Sequence, residues 1–409
     1  MKKNQLNILT FFLLFSPAIN IYGAIIKTSY ITLTSTAVFG VLQYVQYEKK
    51  SSIINHMVVM LIISSAYAAW MGLANEMEDI TWIKYNLLGI VSIFSSYYLV
   101  NKYLTMYGPS YFEKISQIIF DCVIIHSIII IAVNYSDTFR DSLYSVVQLN
   151  DLSYTFTFRD DNQSRYSGLV QGGFGSLSLY HGVGLLIGMN GYLNGRKNYI
   201  TIKKLILGTL IGLYAMIFVG RIGIVFYFIG LFLLAFNPSN KIINIKYIKT
   251  KILTMLSIAV IALILLSDEI KNERILWALE LFMSLMQEGT LGSTTKSILA
   301  ESLPEMKLSE IIFGTGDYDW PNADMGYLKL IVGLGLLGII VSYMFLAVPI
   351  VSSGQNLKNY DYKPVIIMIT VIIILANIKN LYYFAYNDIF QLYFLIFICS
   401  AVNSKKSSQ

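Results

Sequence analysis

The feature that most constrains this chain is a series of apolar segments that take up most of its 409 residues. One helical crossing of a bilayer needs about 20 apolar residues, since a helix rises about 1.5 Å per residue. Such segments lie at 6–26, 29–47, 53–74, 82–100, 115–134, 172–193, 205–219, 222–236, 252–267, 327–351, 364–383 and 387–402. The sequence therefore predicts an all-α polytopic membrane protein with about twelve transmembrane helices, forming a single integral membrane domain over residues 1–409.

The basic residues predict how these helices are oriented. If the N-terminus is cytoplasmic, almost all Lys and Arg residues of the short connections fall on the cytoplasmic side, as the positive-inside rule requires. The acids on that side are Glu48, Glu113 and Asp361. Both termini are then cytoplasmic. The formal net charge of +6 reflects this orientation, and we read no nucleic-acid binding into it.

Two connections, residues 135–171 and residues 268–326, are too long and too polar to be simple turns, and both fall outside. Loops of this length carry function more often than short turns do, so we expect the chemistry at the extracytoplasmic face. The second loop begins with apolar residues at helical spacing from Ile275 to Met286, which predicts an amphipathic helix on the membrane surface or over a cavity. Arg274 is in its first turns, where it either pairs with an acid of the loop or remains available to a ligand.

One arginine, Arg221, stands in an otherwise uncharged run from Leu205 to Phe236. The run has 32 residues and basic flanks at both ends, so it must cross the bilayer an even number of times. We therefore predict two short helices that meet at Gly220 and Arg221, with the arginine at or slightly below the outer membrane face. Such an arginine either snorkels to the headgroups or, with its five donors, binds a phosphate or a carboxylate.

Further polar candidates stand around the start of the sixth apolar segment. Arg159 and Arg165 lie in the stretch FTFRDDNQSRYSGLVQGGFGSLSLYHGVG, whose glycines allow close backbone approach to a neighbouring helix or to a ligand. His181 lies about two turns into the segment, where a polar residue satisfied inside a helix bundle is the ordinary interpretation. The other histidines, His56 and His126, are on different predicted helices, so we expect no metal site.

The second long loop closes with FGTGDYDWPNADMGYLKLIVGLGLLG. Gly314 and Gly316 predict a tight turn that leads into a carboxylate-lined entry to the tenth apolar segment. Asp317 and Asp319 belong either to this entry or to a solvated acidic turn. Asp324 lies at the membrane boundary, where partial desolvation would make a carboxylate more basic.

Together these segments resemble the Wzy-type O-antigen and capsule polymerases and, more distantly, the O-antigen ligases. The similar pieces are RYSGLVQGGFGSLSLY, then GRIG where the family often has a Ser-Arg-Gly-like turn, then a Gly-x-Gly stretch that runs into Asp-x-Gly-Tyr-Leu and a glycine-rich segment. They occur in the family's order and on the expected side of the membrane.

The resemblance implies a metal-independent, inverting glycosyltransferase of the GT-C type, without a cofactor, in the bacterial inner membrane with a periplasmic active face. Such enzymes transfer a growing chain from one undecaprenyl-diphosphate-linked oligosaccharide to the terminal sugar of another, with a chain-length regulator membrane protein as an expected partner. Arg165, Arg221 and Arg274 would then hold the diphosphate leaving group. In the ligases a histidine stands three residues before the Tyr-Leu pair. That position is Asp324 here, which either accepts the acceptor's proton or only orients the acceptor.

Two alternatives remain open. A lipid-linked oligosaccharide flippase would bind the same headgroup without chemistry, but such transporters should have short outer loops and several charged residues within their spans. Asp121 and Lys379 are the candidates for such residues here. An O-antigen ligase would differ in its acceptor, and the missing histidine favours a polymerase.

Overall fold

A computed structural model of the chain describes residues 2–21, 24–46, 51–76, 80–158, 165–171, 173–194, 199–220, 222–235, 306–317, 326–356, 362–378 and 389–406. In these ranges the α-helices are α1 (Lys3–Leu14), α2 (Thr28–Gln46), α3 (Ser52–Ala74), α4 (Thr81–Tyr107), α5 (Tyr111–Tyr135), α6 (Asp137–Val146), α7 (Asp151–Thr157), α8 (Phe174–Asn194), α9 (Ile202–Val219), α10 (Ile222–Ala235), α11 (Leu308–Phe313), α12 (Gly326–Asn356), α13 (Lys363–Ala376) and α14 (Ile389–Lys406). A short 3-10 turn, Gly108–Ser110, joins α4 to α5. One antiparallel hairpin of β1 (Ala18–Ile21) and β2 (Ala24–Lys27) follows α1.

Several of these helices are suited to a bilayer by their length and composition. Among the described residues, four stretches are long and apolar enough to cross a membrane: Ser52–Ala74, Thr81–Tyr135, which contains both α4 and α5, Ile202–Val219 and Gly326–Val348. Three shorter apolar helices are Ile222–Leu234, Lys363–Ala376 and Ile389–Val402. The all-α membrane fold is therefore confirmed for the described residues, while the number of twelve spans stays a prediction. Helices occupy the predicted positions except for the first segment and for 252–267, which lies outside the described residues.

The prediction for the first segment, 6–26, is wrong in its second half. α1 is only 12 residues long, and the chain then turns at Pro17 into the β-hairpin. Proline has no N–H for a helix to use, and it disfavours helical geometry in the residue before it. The carbonyl of Pro17 instead accepts from the N–H of Thr28 at 3.1 Å and from its hydroxyl at 2.7 Å. A single bridge from Ile19 to Val147 ties the hairpin to the segment that follows α6.

The chain divides into two compact units, Met1–Thr34 with Leu99–Glu288 and Ser35–Tyr98 with Gly289–Gln409. In the first unit α5 packs against α8 and α9, and α8 also packs against α10. The backbones of α8 and α10 are so close that a Cβ added to Gly182 would stand 2.6 Å from the carbonyl oxygen of Gly223. Small residues at helix interfaces allow this contact in membrane proteins.

In the second unit α12 packs against α3 and α11, and α13 packs against α14. Hydroxyl pairs join neighbouring helices: Ser64 and Ser342 lie 3.0 Å apart between α3 and α12, and Thr36 and Ser95 lie 2.6 Å apart between α2 and α4. Buried hydroxyls need such partners in an apolar environment.

Candidate functional site

The first unit encloses a pair of buried histidines. His126 of α5 and His181 of α8 are both fully buried, and Nδ1 of His126 lies 2.9 Å from Nε2 of His181. The two rings are nearly perpendicular, and Phe15, just after α1, stacks on His126 with a centroid distance of 4.2 Å. The histidines belong to different helices, as the sequence indicates, but those helices pack side by side and bring the rings together.

The hydrogen bonds around the pair determine its tautomers. The backbone N–H of Leu169 donates to Nε2 of His126 at 3.1 Å, so this nitrogen is an acceptor. A neutral imidazole then carries its proton on the other nitrogen, and His126 donates through Nδ1 to His181. His181 in turn carries its proton on Nδ1, which lies 3.4 Å from the hydroxyl oxygen of Ser127. The expectation that His181 is a satisfied polar residue is confirmed.

Residues 165–171 close over this pair, and we call them the capping loop. Gly168 has a φ of +60°, and a Cβ at this position would stand 2.8 Å from Nε2 of His126. Only glycine combines this left-handed backbone with so close an approach to the ring. Gly168 therefore serves close packing of a loop on a helix, one of the two uses that the sequence leaves open for these glycines.

The capping loop also fixes the backbone of Arg165. The hydroxyl of Thr157, the last residue of α7, donates to the carbonyl of Arg165 at 3.0 Å. The next N–H, that of Tyr166, donates to the carbonyl of Phe218 at 3.1 Å. Arg165 is half-buried, and its backbone lies next to the end of α9. Two residues after Phe218, Gly220 ends that helix.

A serine holds the junction between α9 and α10. The hydroxyl of Ser178 donates to the carbonyl of Gly220 and accepts from the N–H of Gly223 at 2.6 Å. It thereby satisfies backbone groups on both sides of position 221, where one helix ends and the next begins. The prediction of two helices meeting at Gly220 and Arg221 is confirmed, and Arg221 itself lies outside the described residues.

Tyr144 of α6 lies beside the capping loop. Burial raises the pKa of Tyr144 to about 12, and the polar groups of Ser167 and Gly168 next to its hydroxyl offset only part of the rise. The folded protein therefore holds this phenol in its neutral form over the whole ordinary pH range. The hydroxyl oxygen of Tyr144 is itself buried beside this loop.

The second unit contains the other glycine motif, laid against a broken helix. α12 is interrupted at Gly335, where φ is +67°. Such a break leaves carbonyls of the preceding turn without their helical partners. Those of Val332 and Gly333 accept instead from the N–H groups of Thr315 at 2.7 Å and of Gly316 at 2.9 Å.

These donors belong to residues 313–317, which we call the Gly-Thr-Gly segment. Gly314 has a φ of +86°, and a Cβ there would stand 2.5 Å from the carbonyl carbon of Leu334. The hydroxyl of Tyr67 lies between this segment and α12, within hydrogen-bonding distance of the carbonyl of Phe313 at 2.8 Å and that of Leu334 at 3.0 Å. The predicted tight turn at Gly314 and the next glycine is thus a segment docked on the break in α12.

The structure describes three of the predicted site residues. Arg165 and His181 lie in the first unit, and half-buried Asp317 lies in the second, where its N–H donates to the hydroxyl of Thr315 at 3.2 Å. The predictions that fall outside the described residues concern Arg159, Arg221, Arg274, Asp319 and Asp324.

Sequence reasoning missed three residues that organise these two places: His126, Ser178 and Tyr67. A histidine in an apolar segment is itself a signal, because ionisable groups at membrane depth usually have a partner. No comparable signal distinguishes Ser178 or Tyr67, since both residue types are common in membrane helices. Among the described residues no group of three or more His, Cys, Asp or Glu side chains could hold a metal ion. No protein-family model, no curated protein and no solved structure matches this chain.

Proposed function

We propose that this protein polymerises undecaprenyl-diphosphate-linked oligosaccharide units into O-antigen or a related surface polysaccharide, at the periplasmic face of a bacterial inner membrane. The observation that carries the proposal is the hydrogen bond from Tyr166 to Phe218. It holds the residue after Arg165 against the end of α9, three residues before Arg221 in the sequence. Two arginines predicted to bind one anion thus belong to chain segments that are joined through their backbones.

In the proposed reaction an acceptor hydroxyl attacks the anomeric carbon of the donor, and the bond from that carbon to the diphosphate oxygen breaks with inversion. Negative charge develops on the leaving undecaprenyl diphosphate. Arg165, Arg221 and Arg274 stabilise that charge, since guanidinium groups outside bulk water bind phosphate strongly and in a fixed geometry. Asp324 accepts the proton of the attacking hydroxyl or orients it.

The ion pair of Asp121 favours this chemistry over transport. Transporters tend to keep charged groups in their spans available to a substrate or a coupling ion. Asp121, predicted to lie within the fifth span, instead forms an ion pair with Lys204 at 2.6 Å. This carboxylate is engaged within the protein.

Deletion of the gene tests the proposal, with the surface polysaccharide separated by length on a gel. A polymerase predicts that the deletion strain carries single repeat units and that the wild-type gene restores the ladder. Material with nothing beyond the core would point to a ligase or a flippase, and an unchanged ladder would contradict all three. Complementation with Arg165→Lys and Arg165→Ala genes at matched expression then tests the diphosphate contact, because lysine lacks the planar fork of arginine.

A further inference from the structure

A groove lies between α1 and α5 in the first unit. Its volume is about 390 Å³, and its walls are mostly apolar. The apolar side chains that line it are Ile8, Phe11, Phe12, Ile118, Cys122 and Ile125. Two polar residues, Asn7 and Asp121, complete the lining. Apolar walls on two helices of a membrane protein make a surface suited to a hydrocarbon chain.

A chain of polar contacts runs from the groove along α5 towards the start of that helix. Nζ of Lys204 lies 2.6 Å from one oxygen of Asp121, and the other oxygen accepts from the amide of Gln117 at 3.3 Å. Gln117 accepts in turn from Nζ of Lys114 at 2.8 Å. Lys114 therefore lies one turn before Gln117, nearer the start of α5, on the side of the helix that leads into the groove.

A third lysine joins this cluster from α1. Nζ of Lys3 lies 5.3 Å from the centre of the Tyr107 ring, and Nζ of Lys114 lies 5.6 Å from the same ring. Lys3 is four residues before Asn7, so it is on the groove side of α1. Lys3 and Lys204 are both close enough to Lys114 to repel it electrostatically. Three ammonium groups are thus gathered near one end of the groove, and one of them, that of Lys204, is paired with the Asp121 carboxylate.

We propose that this groove and its three lysines bind one anionic phospholipid of the surrounding bilayer. The phosphate lies between Lys3 and Lys114, and one acyl chain lies along the apolar walls towards Ile125. Charge complementarity supports this occupant, because basic pockets between membrane helices on the cytoplasmic side bind anionic lipid headgroups. The predicted topology puts this end of α5 on that side, away from the proposed chemistry.

Lipid binding to the purified full-length protein in detergent tests the inference. Dioleoylphosphatidylglycerol and dioleoylphosphatidylcholine are titrated separately, and bound lipid is counted by native mass spectrometry. We expect the anionic lipid to bind at least about fivefold more tightly, and Lys114→Gln to weaken its binding about fivefold, the usual effect of one lysine near a lipid surface. Lys84→Gln removes a positive charge from an exposed position elsewhere, and it should leave both affinities unchanged.

The groove itself is tested by a matched pair of variants on α5. Ile125 and Ile128 are equally exposed, at 49% and 50%, but only Ile125 lines the groove. Ile125→Trp should weaken binding of both lipids at least about fivefold, whereas Ile128→Trp should not.

If Lys114→Gln lowers the thermal unfolding midpoint without lipid, Lys3→Gln at the exposed N-terminus replaces it. Equal affinity for the two lipids, or a folded lysine variant that binds the anionic lipid as the wild type does, would overturn the inference. The assay needs no polymerisation, so its outcome is independent of the proposed function.

Discussion

Two irregular segments of this molecule dock on helices, and their N–H groups have different kinds of acceptor: a side chain in one case and backbone carbonyls in the other. The capping loop lies on α5, which is unbroken, so the carbonyls of that helix are already engaged within it. Its Leu169 N–H therefore reaches a side chain, that of His126. The Gly-Thr-Gly segment lies on α12 at the break, and its N–H groups reach backbone carbonyls that the break has freed.

This difference determines what each place can tolerate. A contact with an intact helix depends on the identity of one side chain, so a substitution of His126 should affect it directly. A contact with a broken helix depends on backbone geometry, so it should respond chiefly to a substitution of a glycine such as Gly314. Both segments require a left-handed glycine, and the matched glycine variants below compare them.

The largest loss of stability is expected for Gly314→Ala. The methyl group would stand within 2.7 Å of backbone atoms of α12, which cannot rotate away as a side chain can. Left-handed strain of about 1–2 kcal/mol adds to an overpacking cost of about 1–3 kcal/mol. We expect the thermal unfolding midpoint in detergent to fall sharply, with loss of monodisperse protein. Gly108→Ala is the control, because φ there is +57° but no atom lies within 4 Å, so it should show the strain alone. Equal losses for the two variants would show that the close contact with α12 is unimportant.

A smaller effect is expected for Gly168→Ala. Its methyl group would meet the His126 ring, and moving the loop away would break the hydrogen bond from Leu169. We expect a loss of stability of about 2 kcal/mol, from strain and from the buried groups left without partners. Activity should fall further than the stability loss explains, since Arg165 lies in the same loop. Gly173→Ala is the matched control, with φ at +79° and the nearest atom 3.9 Å away. If the Gly168→Ala protein is as active as this control, the conformation of the capping loop does not affect activity.

The next effect is that of His126→Phe. Phenylalanine keeps the stacking on Phe15 but leaves the Leu169 N–H and the acceptor nitrogen of His181 unpaired. A buried polar group without a partner costs about 1–3 kcal/mol, and we expect a decrease in this range in the free energy of unfolding. His56→Phe, at an exposed histidine of α3, should change the free energy of unfolding little. Similar melting curves for the two variants would contradict the hydrogen-bond scheme of the histidine pair.

The smallest effect is a pH dependence from Tyr144. Its pKa is raised by burial, to about 12 in the folded protein from an ordinary value of 10.0. The resulting stability is fully present below pH 10 and is lost as the pH rises through the folded pKa, because the unfolded chain ionises first. Between pH 9 and 11 the wild type should lose about 1 kcal/mol more than Tyr144→Phe. Parallel pH profiles of the two proteins in denaturant titrations would show that the phenol is not buried in solution.

The helix positions could be predicted from the sequence because apolar length is a strong signal in a membrane protein. The junction at Gly220 could be predicted because the 32-residue run is too long for one ordinary crossing and its basic flanks require an even number of crossings. The hairpin after α1 was not predicted, since an apolar run shows its length but not its pairing. Pro17 was the available signal, and its local effect competes with the hydrophobicity of the segment.

The two docked segments could be predicted only in part. The glycines marked both places, but glycine permits a close approach without showing what is approached. The partner of the Gly-Thr-Gly segment is the backbone of a break in α12, which has no side-chain pattern of its own. His126 and His181 are 55 residues apart in the sequence, and only the packing of α5 on α8 brings them into contact.

Reconstitution tests the central claim most directly. The purified protein in liposomes is given lipid-linked repeat units in the presence of a chelator, and the products are separated by length. The proposed function predicts a ladder of lengthening chains and release of undecaprenyl diphosphate. It also predicts that Arg165→Lys slows lengthening nearly as much as Arg165→Ala, while Lys84→Gln does not. Folded wild-type protein that leaves competent repeat units unlengthened would contradict the account.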